Sequence, residues 1–451
     1  MNILFLNPSR LDEKKRVVKY KKAFLPPLSL AILSSLTPHK HSTYIVNDLV
    51  EEINYSDNVD LVAITSMTCQ IDRAYQIARR FKEKGVKVIF GGIHATIFPE
   101  EVKKYADSVV IGEADDIWED ILNDFEENRE KAFYKADRFP DLKKRIIPNW
   151  NQLNLKIYPK PFGHQLPMMP IFTTRGCVHA CKFCSVSNFF GRSYRFKPIS
   201  HVIDEINSIS AKKFFFVDDN IICNKDYSRE LFTGISHLNI NWFSQISTNV
   251  LKYPELIELA AQSGCDSLFI GIESIDKSSL SQMNKKFNNA SDYAELFKIM
   301  RKNNISPIPS LIIGFDEDTP ETLNRMYDFL LQNQISIVFI WILTPLPGTE
   351  LFTEMNHDKR VHNLNWSMYD FNHVVFSPKK FGVDELYNAY WKFFQKFYSY
   401  PQIANHIYFN LKNSRYKAKR FFDSIFYQLY FRKKVYSYEN PISGGFFRVK
   451  P

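Results

Sequence analysis

Two successive series of short apolar runs, each alternating with helix-patterned stretches, constrain what this 451-residue chain can fold into. In the first series NILFL (2–6), TYIVN (43–47), VDLVAIT (59–65), VKVIF (86–90) and SVVI (108–111) are near-continuously apolar, as parallel strands buried on both faces are. Between the third and fourth runs, Ile71, Ala74, Tyr75, Ala78 and Phe81 recur at helical spacing and give one apolar face. Residues 1–130 therefore predict a doubly wound, Rossmann-like α/β domain, whose ligands sit beyond the carboxyl ends of the strands. Residues 131–165, with Pro140, Pro148, Pro159 and Pro161 among mixed charges, read as a linker. From 166 to 360 the alternation restarts: IFTT (171–174), KFFFV (213–217), NWFSQIS (241–247), SLFIG (267–271), IPSLIIG (308–314) and ISIVFIWIL (335–343) are candidate strands. PISHVIDEINSI (198–209) predicts a helix with Pro in its first turn, and PETLNRMYDFLL (320–331) one capped by Asp318 and Thr319. From about Val361 the strand pattern is lost, and residues 361–451 predict a mainly helical region with a basic tail.

At this length two or three domains are expected. The 45% hydrophobic and 24% charged content is that of a globular protein, and no apolar run approaches the roughly 20 residues needed to span a bilayer. MNILFLNPSR reads as a first strand and not a signal peptide, so a cytoplasmic location is expected. The net charge of +9 is concentrated after Pro401, where ten Lys and Arg face only Asp423 and Glu439. It marks a tail, not a nucleic-acid-binding body. Six cysteines do not make a disulfide framework, and Cys69, Cys223 and Cys265 read as small buried hydrophobes. Cys177, Cys181 and Cys184 differ: spaced Cys-x3-Cys-x2-Cys just after IFTT, they put three thiolates on one loop leaving a strand end. Soft sulfur ligands at such spacing select an iron–sulfur cluster or zinc. A structural zinc would need a fourth ligand, for which His179 is the near candidate.

The Cys-x3-Cys-x2-Cys loop, with Phe183 just before its last cysteine, resembles that of the radical S-adenosylmethionine (SAM) enzymes. The resemblance implies a [4Fe-4S] cluster held by Cys177, Cys181 and Cys184, its open iron chelated by the methionine end of SAM, with Phe183 near the adenine. Reduction of SAM there would yield a 5′-deoxyadenosyl radical and would need a low-potential donor of flavodoxin or ferredoxin type. The six strand–helix units then match a partial (β/α)6 barrel, with active residues on the loops after the strands. On that implication Asp218 and Asp219 meet SAM's amino group, and Ser247 and Glu273 its ribose or carboxylate.

Upstream of such a loop, the strand ends Thr65-Ser66-Met67-Thr68, Gly91-Gly92-Ile93-His94-Ala95-Thr96 and Ile111-Gly112-Glu113-Ala114-Asp115 resemble the cobalamin-binding domain of the B12-dependent radical SAM class. The resemblance implies Ser66, Thr68, Gly91, Gly92 and Gly112 as cobalamin contacts, glycines allowing close backbone approach. The Asp-x-His-x-x-Gly motif that supplies a histidine to cobalt elsewhere is absent, with Asn47-Asp48-Leu49-Val50-Glu51 in its place. The implied reaction is methylation of an unactivated carbon on a small-molecule or lipid-like substrate. Oxidative cyclisation or ring rearrangement with the same cofactors is the first rival, and a zinc-stabilised binding scaffold the second. The segment LKNSRYKAKRFFDSIFYQLYFRKK interleaves basic and aromatic residues, so it suits either contact with an anionic membrane surface or docking on its own domain.

Overall fold

The computed structural model describes residues 1–56, 58–161, 164–285, 288–412, 417–442 and 444–449. Its first sheet has six parallel strands: β1 (Asn2–Asn7), β3 (Ser42–Asn47), β4 (Leu61–Thr65), β5 (Lys87–Gly91), β6 (Ser108–Ile111) and β7 (Phe133–Lys135), in the order β3-β1-β4-β5-β6-β7. The five expected strands are there. The sixth, β7, falls in the stretch read as linker, because a three-residue edge strand carries no periodic signal. Strand order reverses between β1 and β4, so a crevice opens at the carboxyl ends of these strands. Ile71, Ala74, Tyr75, Ala78 and Phe81 are all buried on the inner face of the helix Ile71–Lys82.

The second sheet is also six-stranded, parallel and curled: β8 (Met169–Ile171), β11 (Lys213–Phe216), β12 (Asn241–Ile246), β13 (Cys265–Glu273), β14 (Ser306–Ile313) and β15 (Phe339–Ile342), joined in sequence order. This is the expected partial barrel. Thr319 caps the helix Pro320–Gln332 as expected, whereas Pro198 stands at the cap position before Ile199–Asn207 and not in the first turn. The barrel floor is an aromatic file in which Phe215 stacks on Phe243 at 4.3 Å and Phe269 bridges Phe243 and Phe339 at 5.5 and 4.9 Å. One contiguous apolar core runs from Ile3 and Phe5 of the first sheet to Ile340 and Ile342 of the second.

The C-terminal region is helical, with Val383–Phe397, Tyr400–Lys412 and Lys417–Tyr436. The basic aromatic segment is thus shared between two helices, and its residues 413–416 lie outside the described residues. Two antiparallel pairs complete the fold. β9 (Thr174–Arg175) pairs with β10 (Arg195–Phe196), and β2 (Tyr20–Ala23) pairs with β16 (Gly445–Arg448), Ala23 opposite Gly445. Among the described residues no helix is long and apolar enough to cross a membrane.

Candidate active site between the two sheets

Residues 176–194 form a closed excursion from the end of β8, and the β9–β10 pair is its neck. Gly176, at φ +93°, begins it, and a Cβ there would lie 2.2 Å from the Ser193 carbonyl, so the neck closes only around glycine. Beneath it the wholly buried Asp218, at the end of β11, accepts from the Thr173 N–H (3.1 Å) and hydroxyl (2.7 Å) and from both donors of Thr174. Asp218 was implied as a SAM contact; instead its acceptors are occupied by the loop base and it lines neither cavity described below. On the far side the Lys182 N–H donates to Met283 (3.2 Å) and the Leu351 N–H to Lys182 (3.0 Å), which ties the loop to the turns after β13 and β15.

The three thiols of this loop lie within electrostatic range of one another. Burial pushes the Cys184 thiol up to about 12, with Cys181, Asp219 and Cys177 adding to it, and burial likewise raises Cys181. Buried thiols so destabilised as anions suit a cationic partner. Among the described residues no three His, Cys, Asp or Glu groups converge on a single ion. A cluster gives each sulfur its own iron. Three cysteines on one loop are a donor set that fits a [4Fe-4S] cluster. His179, its pKa lowered by burial and then by Lys285 and Lys252, belongs to no such group.

Beside the loop lies a cavity of about 330 Å³, walled by Phe183, Cys184, Glu273, Ser310, Trp341 and Phe371 among others. Glu273 sits at φ +60° and is paired with Lys285, whose ammonium lies 6.0 Å from the Phe183 ring. That strained turn is fixed from outside: Asn288 donates to the Gly271 carbonyl (2.9 Å) and the Tyr293 hydroxyl to Ile272 (3.1 Å). A Cβ on Gly271 would lie 2.7 Å from Glu273 Oε1, so the glycine makes room for the ion pair. Ser247 lines neither cavity; its N–H donates to Asn220 at 3.2 Å, joining β12 to β11.

A larger cavity, about 480 Å³, separates the two sheets. Ser66, Gly91, Gly92 and Gly112 form one wall with the helix Leu28–Leu36, and Phe172, Thr174, Arg175, Phe190 and Asp219 form the other. Three observations suit a large, mostly apolar cofactor in contact with backbone. The lining is chiefly apolar, the buried Ser66 hydroxyl has no partner, and Gly92 at φ +93° brings its backbone so near that a Cβ would lie 2.8 Å from the Ser66 carbonyl. Thr68, expected on this wall, turns away from it: its hydroxyl is 3.4 Å from His94 Nδ1, and His94 is buried against Phe98 and Trp366. Glu113, just after β6, binds both Arg175 and Arg195, and Asp115 binds Arg175 at 3.0 Å. This charge cluster bolts the first sheet to the loop neck. Neither it nor the Trp341–Phe371 pair was anticipated, since no sequence spacing links residues brought together across two sheets.

Burial, with Asp218 beside it, pushes the Asp219 carboxyl up to about 7 from 3.8. A raised acid leaves stability intact below pH 3.8 and loses it as pH rises through about 7. The Asp219→Asn variant is expected to flatten the pH dependence of thermal unfolding in that window. A profile as steep as that of the parent would remove Asp219 as its source.

Comparison with known proteins agrees with this geometry. Residues 171–330 match the radical SAM superfamily model and residues 29–122 the B12 binding domain model. The chain is 33% identical over 380 residues to the bacteriochlorophyllide d C-12(1)-methyltransferase of Chlorobaculum tepidum, covering 82% of both chains. It is 31% identical to that organism's bacteriochlorophyllide d C-8(2)-methyltransferase, over 78% of this chain and 81% of that one. A solved structure of the cobalamin-dependent SAM radical enzyme OxsB shares the fold, with a TM-score of 0.69 at 13% identity over 97% of this chain and 72% of that chain. With 33% identity across 82% of both chains to the first of these, this chain belongs to the cobalamin-dependent class of the radical SAM superfamily, enzymes of a [4Fe-4S] cluster, SAM and cobalamin.

Proposed function

We propose that this protein transfers a methyl group to an unactivated carbon of a small molecule. The observation that carries the reading is that one loop walls both cavities: Thr174, Arg175 and Phe190 face the larger and Phe183 and Cys184 the smaller. On this reading Cys177, Cys181 and Cys184 hold the cluster, Phe183 and Glu273 contact SAM, and Ser66, Gly91, Gly92 and Gly112 contact cobalamin. Bound there, the cluster with SAM supplies a hydrogen-abstracting radical, and cobalamin supplies the methyl carrier. Lys285 pairs with the Glu273 carboxylate and orients it. The apolar walls of both cavities exclude water from a reactive carbon. Like others of its superfamily, the protein needs an electron donor. The two Chlorobaculum relatives are named for bacteriochlorophyllides, which makes that class the first substrate to try.

The test is anaerobic reconstitution with iron, sulfide and cobalamin, then incubation with SAM, a chemical reductant and a bacteriochlorophyllide. Methylation predicts S-adenosylhomocysteine and 5′-deoxyadenosine in equal amounts. The appearance of 5′-deoxyadenosine without S-adenosylhomocysteine would point to radical chemistry without methyl transfer.

We also infer a partner for the helix Lys417–Tyr436: an anionic membrane surface. Tyr430, Phe431 and Val435 pack inward, but Phe426 (56% exposed), Leu429 (46%) and Tyr436 (46%) face solvent. The Arg432 guanidinium lies 3.9 Å from both the Tyr400 and Tyr436 rings, so cations and aromatics share one face. Sedimentation with phosphatidylglycerol-containing vesicles is expected to carry the protein down, and Lys433→Ala to weaken binding about fivefold. Equal binding to pure phosphatidylcholine would refute the electrostatic part.

A further inference from the structure

The smaller cavity is lined in part by two rings, Trp341 and Phe371, 5.8 Å apart and inclined at 68°. Phe371 is held at φ +63°, a conformation that suits Gly or Asn, and is 38% exposed. Neighbouring structure imposes that geometry. The Ile342 N–H donates to the Phe371 carbonyl at 2.9 Å, Asp370 is gripped by Arg10 (3.2 Å) and His373 (2.7 Å), and the Tyr390 hydroxyl lies 3.0 Å from Asn372 Oδ1. A large apolar ring is thus fixed, under strain and more than a third exposed, on the cavity wall. The polar groups nearest it are already engaged: the Trp341 indole N–H donates to Ser310 Oγ at 3.1 Å, and the Thr344 hydroxyl to the Ile342 carbonyl at 3.0 Å. The charged residue of this lining, Glu273, is already paired with Lys285, so what the corner itself offers a ligand is ring faces.

We propose that Trp341 and Phe371 form a right-angled aromatic corner that receives the reacting edge of the substrate, and that this edge is planar, conjugated and uncharged. The inference rests on the methyl-transfer reading and specifies its substrate class. Offset or edge-to-face stacking suits rings 4.5–7 Å apart, and two inclined faces hold a flat ring in one orientation.

The experiment uses the full chain with cluster and cobalamin loaded. Zinc protoporphyrin IX is the planar probe, cholic acid the puckered saturated one, and binding is followed by equilibrium dialysis. The planar probe is expected to bind at least about tenfold more tightly. Phe371→Asn, which accommodates positive φ, should weaken the planar probe about tenfold while the melting temperature holds or rises; Phe371→Trp should retain binding. A purely structural Phe371 would instead lower the melting temperature and leave probe binding unmoved. Equal affinity for cholic acid, unchanged binding in Phe371→Asn, or an equal loss of SAM affinity would each overturn the proposal, the last assigning the corner to SAM. Absence of porphyrin binding in a parent protein that still cleaves SAM defeats the substrate class alone. A parent that cannot cleave SAM defeats the methyl-transfer reading instead.

Discussion

Replacing any one of Cys177, Cys181 and Cys184 by Ala is expected to abolish reductive cleavage of SAM and to bleach the brown cluster chromophore, with the fold retained. On this reading the loop supplies the protein's sulfur donors, and loss of one leaves an iron without its thiolate. The fold survives because the loop neck does not depend on the metal. Gly176 lets it close, the β9–β10 pair shuts it, and Asp218 anchors it through Thr173 and Thr174. Stability of the metal-free chain should therefore change by no more than about 1 kcal/mol. Iron and sulfide content, the visible spectrum and chromatographic detection of 5′-deoxyadenosine check the result, with circular dichroism as the control on folding. A variant that kept both iron and SAM cleavage would remove that cysteine from the ligand set. The same losses are expected when an iron chelator strips the parent protein under reducing conditions.

Glu113→Ala should cost about 3–5 kcal/mol of folding stability, because it removes a carboxylate shared by two guanidinium groups and leaves that of Arg195 without an anionic partner in a nearly closed space. Glu113 is buried, and the side chains of Arg175 and Arg195 are 11% and 15% exposed. Asp115 remains to hold Arg175 at 3.0 Å, but Arg195 is left with the neutral carbonyls of Pro140 (3.1 Å) and Phe190 (3.3 Å) and the Phe139 ring (4.8 Å). Since a domain's total stability is about 5–15 kcal/mol, such a loss is visible in any denaturant titration. Its functional mark would be joint: the bolt ties the turn after β6 to the neck of the cysteine loop, so cobalamin retention and cluster content should fall together. Glu113→Gln, which keeps the shape and one acceptor, should lose less. A Glu113→Ala protein as stable as the parent would show that the two sheets hold together without this contact.

Sequence revealed the architecture because both sheets are parallel and buried, so each strand is an uninterrupted apolar run. The exceptions are β7 and the members of the two antiparallel pairs, β2, β9, β10 and β16. Tyr20–Ala23 carries two lysines in four residues and finds its partner only at Gly445–Arg448, so nothing local marks it as a strand. The turns that bear Ser66, Gly91, Gly92 and Gly112 were legible because glycine at a strand end is a backbone statement. The directions of Thr68, Asp218 and Ser247 were not legible. A spacing tells which loop a side chain sits on, but only packing tells that His94 takes Thr68, that Thr173 and Thr174 take Asp218, and that Asn220 takes Ser247. For the same reason Trp341 passed as one more apolar residue of a strand, and Phe371 gave no signal in a segment without periodicity.

More than 400 residues separate β2 from its mate β16. Closing so long a loop carries little extra equilibrium penalty, since each doubling of length adds only about 0.6 kcal/mol, but it imposes an order of events. The seam cannot zip while the ribosome is still making what lies between. β2 leads into the helix Leu28–Leu36, one side of the larger chamber, so the seam with the C-terminal strand braces the approach to that wall.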